Sequence, residues 1–200
     1  MKKIILASGS PRRSEILEKL GLQFEVLVSN ADERKIDKST VEPSLYVQEL
    51  ALLKAVSAAE QLKNKNALII SADTIVYSDG EILGKPKNDE DAKHMLSMLS
   101  GKCHSVFSGI CVMDAKSLKS VCAKEETKVF FSEITPEKIE DYVKTGEPHD
   151  KAGSYAVQGI GALFIEKIEG DFFNVIGLPV KKLSEIMEKE FEFDIFKELK

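Results

Sequence analysis

Apolar positions along the chain alternate between short continuous runs and wider helical spacings, a rhythm that predicts an α/β fold. Lys3–Ala7 contains the unbroken run Ile4-Ile5-Leu6-Ala7 and reads as a buried strand. Ser10 then stands as an N-cap with Pro11 at the first helical position. Ile16, Leu17 and Leu20 give that helix its apolar stripe, and Gly21 stops it. Phe24–Val28 reads as a second strand, and Leu45–Gln61 as a helix with Leu45, Leu52, Ala55, Val56 and Ala59 available for packing. Ala67–Ser71 is another buried strand, with Asp73 expected just beyond its end. Tyr77–Leu83 has the form of a hairpin turning at Asp79-Gly80.

The clearest helix follows. Asn88 caps it, Ala92, Met95, Leu96 and Leu99 make its core stripe, and Gly101 ends it. Val106–Met113 and Thr127–Phe131 read as strands, and Thr135-Pro136 opens a short helix that closes near Gly146. Ala162–Ile168 reads as a strand and Phe172–Ile176 as a further candidate strand. Pro179 starts a last helix with Leu183, Ile186 and Met187 inward, while Phe191–Phe196 fits neither period. With no repeat, low-complexity tract or linker, residues 1–200 are expected to form one α/β domain: an elongated mixed sheet flanked by helices, in two lobes whose boundary the pattern leaves open.

Charge narrows the functional classes. The chain carries 28 basic and 33 acidic residues, a net charge of −5, and only 7% aromatics. That balance argues against a nucleic-acid binder, so any polyanionic ligand must be met by a local cluster of cations. Ile4–Ala7 is far too short for a secretory core, and no stretch approaches the ~20 apolar residues of a membrane span. Cys103, Cys111 and Cys122 are odd in number and form no C-x-x-C. They are expected to be reduced and mostly buried, in a cytoplasmic protein.

Several segments carry candidate chemistry. Ser8-Gly9-Ser10-Pro11-Arg12-Arg13 lies between a strand and a helix N-terminus, where unpaired N–H groups attract phosphate. Gly9 lets a ligand approach the backbone, Ser8 and Ser10 offer hydroxyls, and Arg12 and Arg13 offer bidentate contacts. The same residues could equally make an ordinary capped turn. Asp73-Thr74, beyond the carboxyl end of a strand, is placed to hold Mg²⁺ or take a proton from water, or else to make an Asx-type turn. Glu33, in Asp32-Glu33, could join Asp73 around a hard cation. Lys54, Lys85 and Lys151 are candidate phosphate partners, the last two with glycine or proline nearby to shape the backbone. Gln158 can pair a base edge as both donor and acceptor. His94, His104 and His149 show no ligand spacing and read as structural or solvated.

Taken together these segments resemble the Maf family. The matching run extends from Leu6 to Pro179 and adds Lys54-Ala55, Asp73-Thr74-Ile75-Val76, Gly84-Lys85-Pro86, Ser100-Gly101 with His104, Asp150–Tyr155, Gln158-Gly159 and Asn174–Pro179 to the first loop and Asp32-Glu33. The resemblance implies an enzyme that cleaves a nucleoside triphosphate to the monophosphate and pyrophosphate in a cleft between two lobes. It also implies a divalent metal, Mg²⁺ or Mn²⁺, for which Glu33 and Asp73 are this sequence's candidate ligands, and a homodimer. Asp73 matches the proposed proton acceptor, with Glu33, Lys54 and Lys85 as its catalytic companions. Ser8, Gly9, Ser10, Arg12, Arg13, Thr74, Lys151 and Gln158 fall at substrate positions. Arg12, Thr74 and Gln158 match the dTTP/UTP-type branch, whereas the 7-methyl-GTP branch has Trp, Gln and Glu there. A protein that senses a triphosphate without hydrolysing it is the alternative, and it would need the cations but not Asp73.

Overall fold

The first apolar run forms β1 (Lys3–Leu6), with Ile4, Ile5 and Leu6 buried. A computed structural model describes residues 2–63 and 65–198. In it β1 runs parallel to β2 (Glu25–Val26) on one side and to β3 (Ala67–Ser78) on the other. β4 (Glu81–Leu83) folds back on β3. β5 (Cys103–Asp114), β6 (Ser120–Phe131) and β7 (Ile165–Glu169) complete a seven-stranded sheet of order β2-β1-β3-β5-β6-β7. The β3–β4 and β6–β7 pairs are antiparallel, so the sheet is mixed. Around it stand α1 (Pro11–Lys19), α2 (Pro43–Gln61), α3 (Asp89–Leu99), α4 (Pro136–Lys144), α5 (Phe172–Ile176), α6 (Val180–Phe191) and α7 (Ile195–Glu198). Among the described residues no helix is long and apolar enough to cross a membrane.

The chain divides into two compact units. The first comprises the residues up to Asp73, Ser108–Glu125 and the residues from Gly177 onward. Its core packs α2 through Ala51, Ala55, Ala58 and Ala59 against Ile5, Ile69, Cys111 and Met113. Small side chains are required there because the helix backbone lies on the sheet. A Cβ at Gly109 would fall 2.1 Å from the Val47 carbonyl oxygen. That close seat also decides which face of α2 turns inward. Ala55 and Ala59 are buried as expected, but Leu45, Leu52 and Val56, also expected to pack, are exposed, and Val47, Leu50, Ala51 and Ala58 are buried in their place.

The second unit comprises Thr74–Phe107 and Glu126–Ile176. Its core joins Ala92, Met95, Leu96 and Leu99 of α3 to Ile139, Tyr142 and Val143 of α4, with Val129, Phe131, Tyr155 and Phe164. Phe131, Tyr155 and His104 meet edge to face with centroids 4.8–5.4 Å apart. The α3 signals hold in detail: Asn88 Oδ1 accepts from Asp91 N at 2.8 Å, and Gly101 leaves the helix at φ 68°. The Asp79-Gly80 turn likewise has two positive φ values, 50° and 87°.

Elsewhere tertiary context changes the expectation. β3 does not stop at Ser71 but continues through Asp73, because its far half pairs with β4. β2 is reduced to two residues, with Val26 and Val28 left exposed at the sheet edge. Phe172–Ile176 is a helix: Asp171 Oδ1 accepts from Phe173 N at 2.8 Å, and this cap overrides the aromatic pair. Only Ile165 onward is strand in the Ala162–Ile168 segment, since Ile160–Phe164 winds into a 3₁₀ turn. Leu20 is only half-buried, α6 ends at Phe191, and Ile195 opens α7. Of the three free cysteines only Cys111 is buried, with Cys122 half-buried and Cys103 exposed.

Candidate active site

In the first unit β1 delivers the chain to Ser8, and α1 begins three residues later. Ser10 occupies the N-cap position, but its hydroxyl makes no capping bond. The buried Ser8 hydroxyl organises the loop instead, accepting from Ser10 N at 3.2 Å and from Arg13 Nη1 at 3.0 Å. Arg13 is itself buried. Its Nε donates to Gly177 O at 2.8 Å and its Nη1 to Ala72 O at 2.9 Å. Burial lowers its pKa, against the opposing fields of Asp73 and Glu33. The adjacent Arg12 is half-buried. Among the described residues a Cβ at Gly9 would meet only Val28, at an ordinary 3.4 Å, so no close contact there demands glycine.

Asp73 lies within β3, beside the carbonyl that Arg13 holds. Lys54 reaches it from α2: its Nζ is 2.5 Å from Asp73 Oδ1 and 3.0 Å from Glu33 Oε1. The lysine and aspartate side chains are each only 14% exposed, whereas Glu33 is 53% exposed. Glu33 begins a single 3₁₀ turn, Glu33–Lys35, capped by Asp32. Asp32 pairs with Arg34 at 2.8 Å, which separates its role from that of Glu33. Tyr46, also on α2, belongs to the same electrostatic cluster. Burial first, and then Asp73, Glu33 and Asp37, push its phenol pKa up. Sequence reasoning missed Tyr46; its one signal was a place two turns ahead of Lys54 on the same helix.

These carboxylates fit a hard divalent cation in a limited way. Among the described residues no three His, Cys, Asp or Glu side chains converge. Glu33 and Asp73 nevertheless already share one cation, the Lys54 ammonium. Two carboxylate donors completed by water and substrate phosphates is a donor set that suits Mg²⁺.

The second unit carries the other sequence-derived candidates. Thr74 is half-buried in β3, and Lys85 is exposed after β4. Gly153 N donates to Gly84 O at 3.1 Å, joining the backbones next to Lys85 and Lys151. Gly153 has φ 68°, and a Cβ there would press to 2.8 Å on Val76. Lys151 Nζ donates to Glu147 O at 2.7 Å and to Asp150 Oδ1 at 2.5 Å. Gln158 is exposed in a turn, not at a strand end. The histidines are structural or solvated. His104 shares a 2.9 Å hydrogen bond with Tyr155 Oη, His149 pairs with Asp89 at 3.0 Å, and His94 is exposed on α3. Asn174 is buried and donates to Val106 O at 2.9 Å and Thr127 Oγ1 at 3.0 Å, a structural role.

Comparisons with known proteins place the chain in a family. The family described as Maf-like protein matches residues 3–190. A dTTP/UTP pyrophosphatase of Thermoanaerobacter sp. (strain X514) is 50% identical over 190 residues, covering 95% of this chain and 97% of that protein. One from Clostridium perfringens (strain 13 / Type A) is 49% identical, covering 93% and 96%. One from Caldicellulosiruptor saccharolyticus is 43% identical, covering 98% of each. With that family matched over residues 3–190 and these relatives similar over nearly their whole length, the protein belongs to the Maf family.

Proposed function

We propose that the protein hydrolyses nucleoside triphosphates to the monophosphate and pyrophosphate, with dTTP and UTP as preferred substrates and modified pyrimidine triphosphates as further ones. The observation that carries this reading is Lys54 Nζ held between Asp73 and Glu33, within the unit that also presents the Ser8–Arg13 loop. The names of the relatives above support the same substrates.

The residues divide the work. Ser8, Gly9, Ser10 and Arg12 receive phosphate at the N-terminus of α1, and Arg13 holds that loop in place from below. Lys54 orients Asp73 and offers its ammonium to the triphosphate. Asp73 accepts a proton as water attacks the α-phosphorus, and the bond to the bridging oxygen breaks to release pyrophosphate. A divalent cation held by Glu33 and Asp73 would acidify water and offset the charge of the leaving group. Lys85, Lys151, Thr74 and Gln158 are assigned to the substrate on their family motifs. We further read residues 1–200 as one catalytic domain and the protein as a cytoplasmic homodimer. Light scattering on the purified protein tests the dimer.

Pyrophosphate release from a panel of triphosphates, coupled to inorganic pyrophosphatase, tests the activity. dTTP and UTP should show higher kcat/KM than GTP, ATP or 7-methyl-GTP. Turnover should vanish with EDTA and return with Mg²⁺ or Mn²⁺. Silence across the panel would favour a sensor that binds without hydrolysis, and full turnover in excess chelator would remove the metal.

A further inference from the structure

We propose that Glu147, which lies outside every motif considered so far, is a positioning residue that fixes the Gln158 turn and Lys151 relative to each other and so sets base selectivity. The proposal rests on the reading that Gln158 meets the base.

Gln158 is exposed, so its location is set by the backbone of its turn. The Glu147 carboxylate holds that turn from its far side. Its Oε2 accepts from Ile160 N at 3.0 Å, and its Oε1 accepts from Gly161 N at 3.0 Å and from Tyr142 Oη at 2.8 Å. Tyr142 Oη in turn accepts from Ala156 N at 3.2 Å. The segment Val157-Gln158-Gly159 is therefore clamped at both ends through one carboxylate. The other end of the same residue takes Lys151, whose Nζ donates to Glu147 O.

Packing closes the clamp. A Cβ at Gly159 would lie 2.4 Å from Glu147 Oε2, and one at Gly161 would lie 2.7 Å from Tyr142 Oη. No side chain larger than hydrogen fits at Gly159 while the Glu147 carboxylate stays, nor at Gly161 beside Tyr142 and the Ala156 backbone. Burial opposes ionisation of Glu147, but the bonds from Gly161, Ile160 and Tyr142 outweigh it and hold its pKa below the usual carboxylate range. The acceptor is thus a charged one, and hydrogen bonds to a charged group are the stronger kind. A turn held this way fixes where the Gln158 side chain leaves the backbone and so narrows the poses from which its amide can make a two-point contact to a base edge.

The test compares Glu147→Ala, Glu147→Gln and Gly159→Ala, which breaks the same contact from the other side. The readouts are kcat and KM for dTTP and CTP, and Tm. We expect the dTTP:CTP ratio of kcat/KM to fall about tenfold in Glu147→Ala and Gly159→Ala, mainly through KM, the size of losing about one charged hydrogen bond. Glu147→Gln keeps one acceptor oxygen and should recover part of the ratio. A ratio unmoved in all three, or a uniform fall in kcat with both bases, would make Glu147 a stability residue and overturn the proposal. If wild type shows no dTTP preference, or Gln158→Ala leaves that preference intact, the reading of Gln158 fails and this proposal fails with it. Should Glu147→Ala not fold, Glu147→Gln and Gly159→Ala still decide.

Discussion

The two units hold their candidate residues by different means. In the first, Asp73 sits in a twelve-residue strand and Lys54 on a nineteen-residue helix, so the sheet and its packed layer locate them. In the second, Lys151 and Gln158 lie on turns and short 3₁₀ segments, located by one carboxylate and by glycines that admit no Cβ. Regular elements move only with the core, whereas a turn can be re-aimed by a few substitutions. We take the first arrangement to suit bond cleavage and the second to suit the choice of base.

The largest effect should come from breaking the first arrangement at its centre. Asp73→Asn should preserve the fold while lowering kcat by ~10²–10⁴-fold, the usual cost of losing a general base. Near-wild-type turnover in single-turnover assays would make Asp73 a structural strand residue. The two adjacent arginines sharpen the contrast between holding and binding. Arg13→Ala removes the two buried hydrogen bonds that the guanidinium makes to the Gly177 and Ala72 carbonyls. Each such loss costs about 1–3 kcal/mol, which denaturant melts should reveal. Arg12→Ala should spare stability and lower kcat/KM by roughly 10–100-fold through a lost charge-assisted contact. Equal melting losses for the two would refute the division.

In the second unit the effects should be smaller and selective. Gln158→Glu should reduce kcat/KM for dTTP and UTP about tenfold more than for purine triphosphates, since only the amide can both donate and accept. A proportionate loss across all bases would deny Gln158 a role in choice. Acid offers a milder probe of the same unit. Burial lowers the His104 pKa from 6.5 to about 4, and its Nδ1 has no hydrogen-bond partner among the described residues. The unfolded chain therefore takes up a proton as pH falls through 6.5, while the folded protein takes it up only near 4. The stability that neutral His104 contributes is complete above about pH 7 and declines across that window. The decline should be about 1 kcal/mol by pH 5.5, and His104→Gln should flatten the pH dependence of Tm.

What the sequence made legible follows from how local each signal is. α3 could be drawn from Asn88 to Gly101 because cap, stripe and stop lie within one stretch of chain. The site motifs were legible as residue types, and Asp73, Lys54 and Glu33 do come together. The burial of Arg13 was not legible, since its Nε partner is 164 residues away. Glu147 and Tyr46 stayed hidden because an acid in a turn and a tyrosine on a helix carry no pattern of their own. The inward face of α2 was read only in part for a related reason: Ala55 and Ala59 do turn inward, but where the helix backbone lies on the sheet the large Leu45, Leu52 and Val56 are left outside.

That lack of room has a consequence for how far a distant change can travel. Val47 is seven residues ahead of Lys54 on the same rigid helix, and its carbonyl rests over Gly109 with space for a hydrogen atom alone. Position 109 is in effect the shim beneath the arm that carries the ammonium. A methyl group there would begin 2.1 Å from that oxygen, where contacts under 3.0 Å are essentially never seen, so the arm itself would have to lift. Displacements of about 1 Å are enough to misalign reacting groups. The reach of Lys54 toward Asp73 is thus calibrated by a residue that has no side chain of its own.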